Sequence, residues 1–500
     1  MKKNQLLTFI SMLLTFFVSA GIYAQTVNGT VTSEDGPLPG ATVQVKDTDR
    51  GTSTDFDGNY SIEASSGDVL VISFVGFATQ EIPVGDQDQI NVTLLADSEL
   101  EEIIVTGYRS QARGSVTGSV ATVNVADAVK VPVSNAAEAL QGRVAGLTVI
   151  NSGQPGAAPV VRIRGYNTPN NNDPLYVIDG VQTTDAFVLN SINPNDIENI
   201  SVLKDGAASI YGARASNGVI LITTKTGKGV EGTKISVDVS YGVQNATNLP
   251  TLLTAQQHGE MLWQSYANDG VAPDHVQYGN GASPVIPTTI QGITNGKTLN
   301  VPAGGTDWFD AIFDPAPVSD INVSVASGSE SSNFLFSINH LKRDGIMIES
   351  SYERIGVRLN SDFQVSDNIR IGQTMNVTTD VENNPGSRTQ EAFRMSPLIP
   401  LRATDGTFGG IYVTSNNLGN VTSPYATLKR SSDDYAKSVR AISSVYAQID
   451  LTDDIYVKTS INGQYRTFMN RQFDDYTPEA ETNSGGALRE QAFNQYEWNW

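Results

Sequence analysis

The side chains able to do chemistry are sparse and scattered. His258, His275 and His340 are the three histidines among 500 residues, and none lies in a nucleophile or metal-binding motif. No GxSxG elbow, HExxH helix or phosphate-binding glycine loop occurs. The absence of cysteine removes disulfides, thiolate metal sites and cysteine nucleophiles together. Adjacent acids such as Asp453 and Asp454 read as turn residues, and with 53 acids a glycosidase pair can be neither picked out nor excluded. DFDGNY, residues 55–60, opens like a calcium loop but lacks the later ligands and the terminal Glu, so it reads as a polar hairpin turn. No cofactor or metal is implied, and the chain reads as a non-enzyme.

What remains is the chemistry of the backbone. LEEIIVTGY, Leu100 to Tyr108, places the β-branched Ile103, Ile104 and Val105 in a row, behind acids and ahead of a Thr-Gly. The segment can pair as a strand yet has no obvious neighbour in sequence. That suits capture by another protein's sheet edge, the alternative being an ordinary last strand of the preceding domain. In VVRIRG, Arg162 and Arg164 alternate with Val161 and Ile163, so both guanidiniums are expected on one face of a strand, in need of acidic partners.

These segments sit in an acidic, glycine-rich chain. Five hundred residues exceed one ordinary core and suggest about three units. The formal charge of −21 opposes a nucleic-acid partner through repulsion from phosphate. With 39% apolar residues, 17% charged and 45 glycines, many short strands and turns are favoured over long charged helices. Lys2 and Lys3, the apolar run from Leu6 to Val18 and the small residues from Ser19 to Ala24 have the form of a secretory signal peptide cleaved before Gln25. No later window approaches the roughly 18–20 apolar residues of a membrane helix, so any membrane insertion must use strands. From Val27 to about Leu95, alternating runs separated by Asp35-Gly36, Pro39-Gly40, Asp57-Gly58 and Ser66-Gly67 predict an antiparallel sandwich of about 70 residues. Arg109 to Gly118 reads as a tether. A helical patch at Ala136 to Leu140 and strand-like pieces from Val144 to Lys225 follow, with Asn195 or Asp196 as a helix cap.

Here a family resemblance becomes specific. GTVTSEDGPLPGATVQVKDTDRGTSTDFDGNYSI resembles the carboxypeptidase-regulatory-like domain, a module without catalytic residues. RVAGLTVINSG, VVRIRG, PLYVIDG and NPNDIENISVLKDGAASIYGARASNGVILITTK resemble the plug domain of SusC/RagA-type TonB-dependent transporters. The resemblance covers residues 1 to about 228 in the family's order, with Arg109-Ser110-Gln111 departing from the Gly and lysines common there. It implies a signal peptide at 1–24, a sandwich at 25–97, a TonB box and linker at 98–110, a plug at 111–228 and a barrel from 229 to 500. TonB contact is then expected at Glu102, Ile103, Ile104, Val105, Thr106 and Gly107. The polar plug loops, Asn151 to Gly156 and Tyr166 to Asp173, suit hydroxyl or amide recognition, and substrate contact is assigned to Tyr166, Asn167, Asn170, Asn171, Asn172 and Asp173. Asn-rich loops are also ordinary turns. Arg162 and Arg164 are expected to hold the plug to acidic barrel-wall residues.

From Thr233 onward, segments such as TKISVDVSYGV, SNFLFSINHL and RIGVRLNSDF alternate over about the 9–11 positions of a tilted membrane strand. Ile235, Val237, Val239, Tyr241 and Val243 share one face, and Ser236, Asp238 and Ser240 the other. A soluble sandwich has the same period, so alternation alone does not decide. The connections alternate long and short, near 245–319, 328–332, 344–352, 365–368, 382–436, 452–454 and 470–487, as long outer loops and tight periplasmic turns would. Thr251 to Asp269 is expected to be helical. The chain stops at Trp500 inside an eighth strand, which suggests the first part of a longer protein whose barrel closes at about 22 strands. The fold class is therefore mainly β: a sandwich, an α/β plug and the first strands of an antiparallel transmembrane barrel. The implied function is TonB-dependent import of oligosaccharides or peptides across the cell outer membrane. TonB and its inner-membrane energising complex would pull on the segment near 100–108 from the periplasm, where the N-terminal domain lies, and a SusD-like surface lipoprotein would act as a lid. The alternatives are a surface receptor or adhesin that does not transport, and a siderophore- or cobalamin-type receptor.

Overall fold

The computed structural model describes residues 25–499 apart from 34–35, 47, 49, 76, 86, 95–102, 107–108, 113–118, 126–132, 294–296, 412–416, 453–454, 475 and 478–485. The leader at 1–24, and Glu102, Gly107 and Tyr108 of the expected TonB box, lie outside the described residues.

Residues 25–94 form a sandwich of two sheets. Gln25–Ser33 pairs with Gly36–Pro37, Asn59–Ala64 and Val92–Thr93 in one; Gly51–Ser53, Thr42–Val45, Val69–Ser73 and Gln80–Pro83 make the other. Alternation sets the core. In NYSIEA, Tyr60, Ile62 and Ala64 are buried and their neighbours exposed, and Val27, Val31, Val43, Leu70 and Ile72 join them between the sheets. One pairing departs from the antiparallel expectation, because Val31–Thr32 runs parallel to Val92–Thr93. In the DFDG turn Asp55 Oδ1 accepts the N–H groups of Asp57 and Asn59 at 3.0 and 2.8 Å, so its carboxylate closes a hairpin. Ile103–Thr106 belongs to neither sandwich sheet. It pairs with Arg109–Ala112 in a two-stranded sheet, so the stretch expected as a tether opens with a strand.

From Ser119 the plug and barrel wall form one compact unit. The plug sheet contains β1 (Val120–Asn124), β2 (Leu175–Ile178), β3 (Val181–Thr183), β4 (Ile197–Leu203) and β5 (Val219–Thr224) in the spatial order β1-β4-β5-β2-β3. β2 and β5 are parallel, and all four residues of β2 are buried, which is why LYVI reads as an unbroken apolar run. A hairpin of Leu147–Ile150 and Val160–Ile163 packs on the same core as Tyr176, Val188, Ile200 and Ile220. The helical turn ahead of β4 is capped by Asn193, not by Asn195 or Asp196: its side-chain oxygen accepts the Asn195 N–H at 3.1 Å. Pro194 occupies the first helical position, where its missing N–H costs nothing.

Eight antiparallel strands follow in sequence order: β6 (Gly232–Gln244), β7 (Ala316–Gly328), β8 (Ser332–Asp344), β9 (Ser351–Ser366), β10 (Ile369–Asn383), β11 (Tyr435–Asp450), β12 (Tyr456–Asp474) and β13 (Ala487–Asn499). Their alternation has the opposite sense to a soluble protein. On β6, Ile235, Val237, Val239 and Tyr241 are 62–74% exposed. On β8, Phe334, Phe336 and Ile338 face outward while Ser337 and Asn339 are 1% and 2% exposed. A wall that buries its polar face and bares its apolar one is stable only where the outer solvent is lipid, which excludes the soluble sandwich. No helix among the described residues is long and apolar enough to cross a membrane.

Connections 245–315, 345–350, 384–434 and 475–486 share one rim, and 329–331, 367–368 and 451–455 the other. The long ones carry a core of their own. α1 (Ala255–Asn268), α2 (Trp308–Ile312), α3 (Thr389–Arg394) and α4 (Pro424–Arg430) pack around Trp308, whose indole N–H donates to the Ser396 carbonyl at 3.0 Å. Thr254 and Gln257 start α1 with a reciprocal capping box.

Candidate functional site

The two arginines expected to reach the wall remain within the plug. Arg162 pairs with Asp173, and Arg164 with Asp205 at 2.6 Å. Both acids are plug residues, so the expected contact with acidic wall residues is corrected. Arg164 follows the last strand residue with φ at +56°, which turns it off the shared face that a longer strand would have imposed. Arg162 also lies over the ring of Tyr166, 5.8 Å from its centroid.

In the 166–173 loop the asparagines divide by role. Asn172 is buried; its Oδ1 accepts the N–H groups of Asn167 and Thr168 at 2.7 and 2.9 Å, and its Nδ2 donates to the Thr168 carbonyl at 2.7 Å. Asn171 Oδ1 accepts the Asp173 N–H at 2.8 Å. These two, with Asp173 paired to Arg162, shape the loop, while Tyr166, Asn167 and Asn170 face solvent. The other polar loop, Asn151 to Gly156, lies against the long-loop rim: Gln154 accepts from Asn384 Nδ2 at 3.3 Å, and a Cβ on Gly156 would sit 2.5 Å from the Tyr352 ring.

The cations joining plug and wall come from the wall. Arg358 on β9 donates through Nη1 to Asp179 Oδ2 at 3.1 Å and Thr224 Oγ1 at 3.0 Å, and its Nε lies 3.7 Å from Asp196. Its Nε and Nη2 have no hydrogen-bond partner among the described residues, so one buried guanidinium is divided between two carboxylates. Arg354 donates to the Asn190 carbonyl at 2.7 Å and to Asn339 Oδ1 at 2.9 Å. Arg440 on β11 and Arg466 on β12 converge on Asp185 Oδ2 at 2.5 and 3.1 Å. Neutral groups continue the seam: Asn193 to Asn322 at 2.8 Å, Ser337 to Asp196 at 2.8 Å, Asn360 to the Lys225 carbonyl at 2.7 Å, and Gln464 to Thr183 at 2.9 Å. Sequence reasoning missed this set, although its signal was present. Arg354 and Arg358 stand four apart on one strand, both in the polar phase, and an arginine facing inward from a membrane strand requires an acid.

Electrostatics at the seam vary with burial. Burial works against ionisation of Asp185, but Arg440, Arg466 and the Phe187 N–H outweigh it and hold the carboxyl below the usual carboxylate range. For Asp196 burial dominates and pushes the carboxyl up against the pull of Arg358 and Ser337. Nothing here forms a nucleophile with its base. The arrangement is mechanical: a plug with its own apolar core, to which the wall adds only Ile442 among the described residues, held by polar bonds.

Residues 112–219 match the family model for the TonB-dependent receptor plug domain, and residues 27–105 that for the CarboxypepD_reg-like domain. The TonB-dependent receptor P26 of Formosa agariphila is 39% identical over 399 residues, covering 79% of this chain and 38% of that protein. The TonB-dependent receptor SusC of Bacteroides thetaiotaomicron is 36% identical over 375 residues, 72% of this chain and 34% of SusC. The chain thus spans less than half the length of these relatives. Among solved structures, the RagAB peptide importer in its open-open state superposes with a TM-score of 0.63 at 27% identity, over 79% of this chain and 46% of that one. Sharing its plug, the module before it and the wall around it with these proteins, the chain belongs to the SusC/RagA type of TonB-dependent outer-membrane receptors.

Proposed function

We propose that the protein takes part in TonB-dependent import of oligosaccharides or peptides across the outer membrane, with force delivered through the strand at 103–106. The observation that carries this reading is topological. Among the described residues, Ile103–Thr106 has only the short Arg109–Ala112 strand as partner and joins no sheet of the sandwich, the plug or the wall. An isolated two-stranded hairpin is marginal in water, so an incoming strand of TonB can replace one partner with another at little cost. Glu102 to Gly107 is then the TonB contact, and tension from the inner-membrane complex passes into the plug at β1. The polar seam supports the gating step, since its bonds can be exchanged for water while the plug core stays folded.

Cargo meets Tyr166, Asn167 and Asn170, with Asn171, Asn172 and Asp173 shaping that loop, and a SusD-like lipoprotein closes over the long-loop rim. The likeness to a peptide importer favours the peptide arm. Deletion of Ile103 to Thr106 in the full-length protein should abolish uptake and leave cargo binding at the cell surface intact. Uptake that continues after the deletion would sink the import reading in favour of a receptor that does not transport.

A further inference from the structure

The first long connection, 245–315, carries two histidines that import leaves without a role. His275 is 7% exposed and closes a tight turn in which its backbone pairs with that of Gly279 at 2.9 and 2.8 Å. Its Nδ1 accepts the N–H groups of Gln277 at 3.1 Å and Tyr278 at 3.3 Å. Asp307 and Asn135 use the same geometry elsewhere in the chain, each accepting the N–H groups two and three residues ahead. An acceptor at Nδ1 places the ring proton on Nε2. The ring lines one cleft with Asn417, on the connection 384–434. The neutral ring therefore closes its turn through Nδ1 and stands where two connections meet. A second proton, on Nδ1, would point at two N–H donors.

The turn matters beyond itself. Tyr278 is fully buried, and its hydroxyl donates to the Ala255 carbonyl at 2.9 Å and meets His258 Nδ1 at 3.0 Å. A Cβ on Gly259 would come within 2.9 Å of the Tyr278 ring, so α1 lies directly on it. The connections 245–315 and 384–434 meet at a loop seam, and there lies a cleft of about 530 Å³ lined by His258, Met261, Phe393, Arg394 and Asn417.

We propose that His275 is a proton-operated clasp between the connections 245–315 and 384–434: the neutral ring ties them together, and protonation releases the seam and loosens the cleft. The titratable groups around it are His258 on α1 and Tyr278 in its own turn. Arg394 on α3 is turned toward Asn420, to which it donates at 2.6 Å. The histidine ion pair found among the described residues is His340 with Glu353, so no carboxylate there stabilises a charged His275 or His258. Burial lowers the proton affinity of His275, with the Asn417 backbone partly offsetting it, and burial and His275 together lower that of His258. A ring held neutral binds fewer protons folded than unfolded. The clasp is thus complete above the free imidazole value of about 6.5 and is lost as pH falls from there through the folded value.

Hydrogen exchange on the full-length protein in detergent, at about pH 7.5 and about pH 5.5 with intrinsic rates corrected, tests this. Segments 270–279 and 417–421 should open up to about tenfold more per pH unit as pH falls from the free imidazole value of about 6.5 to the folded value, the limit for one proton, and level off below it. His275→Asn keeps a turn acceptor, as Asn135 does, but cannot titrate. Its turn should stay protected and its pH dependence vanish, whereas His258→Asn, which keeps a donor to Tyr278, should retain it. A wild-type seam indifferent to pH overturns the proposal, as does a His275→Asn protein that keeps the dependence or a His258→Asn protein that loses it. The wild-type profile decides alone should a variant fail to fold.

Discussion

The seam is most concentrated at Asp185, where Asp185→Asn offers the sharpest perturbation. Its Oδ2 takes both Arg440 and Arg466, and its Oδ1 accepts the Phe187 N–H at 3.0 Å, so the amide keeps the cap and removes the charge. Arg440 and Arg466, 4% and 14% exposed, are then left buried without this carboxylate. Breaking a buried pair by removing one partner costs about 3–5 kcal/mol. Asp185 is 20% exposed, and Asp380 on β10 also attracts both arginines, which reduces the expectation to about 2–3 kcal/mol. Conductance of the full-length protein in planar bilayers, followed against urea, reports the plug leaving the wall. With slopes of about 1–3 kcal/mol per molar urea, the opening midpoint should fall by about 0.7–3 M. Acid supplies a second arm. The folded Asp185 binds fewer protons than an unfolded one, so its contribution is whole above the ordinary carboxylate value of about 4 and is lost as pH falls through the lowered value. An unchanged urea midpoint, or a variant whose release stays as acid-sensitive as wild type in that range, would refute the assignment of the hold to this carboxylate.

Two further outcomes test the wall. Val239, 68% exposed near the middle of β6, faces lipid, so Val239→Arg should cost about 2–4 kcal/mol in urea titrations of folding into vesicles; a neutral result would mean that this face meets water. A Cβ on Gly227 would lie 2.2 Å from the Ser327 carbonyl oxygen and 2.3 Å from that of Phe334, both backbone atoms where the chain passes from plug to wall. Gly227→Ala should therefore cost about 4 kcal/mol or more, visible as loss of the compact, heat-modifiable band on gels, and a normal band would show that the passage can yield.

What could be read from sequence was what depends on period and local chemistry. Ile235 to Val243 gave the outward face because a strand's side-chain period is two, whatever surrounds it, and the helix expected within Thr251 to Asp269 is observed as α1. Partner choice was another matter. Arg162 finds Asp173 eleven positions on and Arg164 finds Asp205, pairings set by how the hairpin and the turn before β5 come together. Arg354, Arg358, Arg440 and Arg466 carried a readable sign, polar phase on a membrane strand, but their acids lie in the plug, more than 150 residues earlier in every case where a carboxylate is the partner. The core around Trp308 was least legible, since its apolar residues are spread through irregular segments with no period to betray them.

The division between apolar cores and polar seam explains how such a molecule can be firm and yet open. Sandwich, plug and long connections each bury an apolar cluster of their own, and burial at about 25 cal/mol per Å² is lost only by unfolding the element that owns it. The seam is built otherwise. Each of its hydrogen bonds is worth about 0.5–1.5 kcal/mol net, because water can replace either partner, and the charged ones somewhat more. On the proposed mechanism, a pull applied at β1 meets two scales of resistance: bonds that water replaces one at a time, and a core that cannot be wetted without collapse. On that mechanism the bonds yield first, and most readily where water enters, at Asp185, 20% exposed, and not at Arg354 or Arg358, each 1% exposed. If import runs as proposed, opening is expected to proceed from the Asp185 side toward β9, the order in which the arginines of the wall grow more deeply buried.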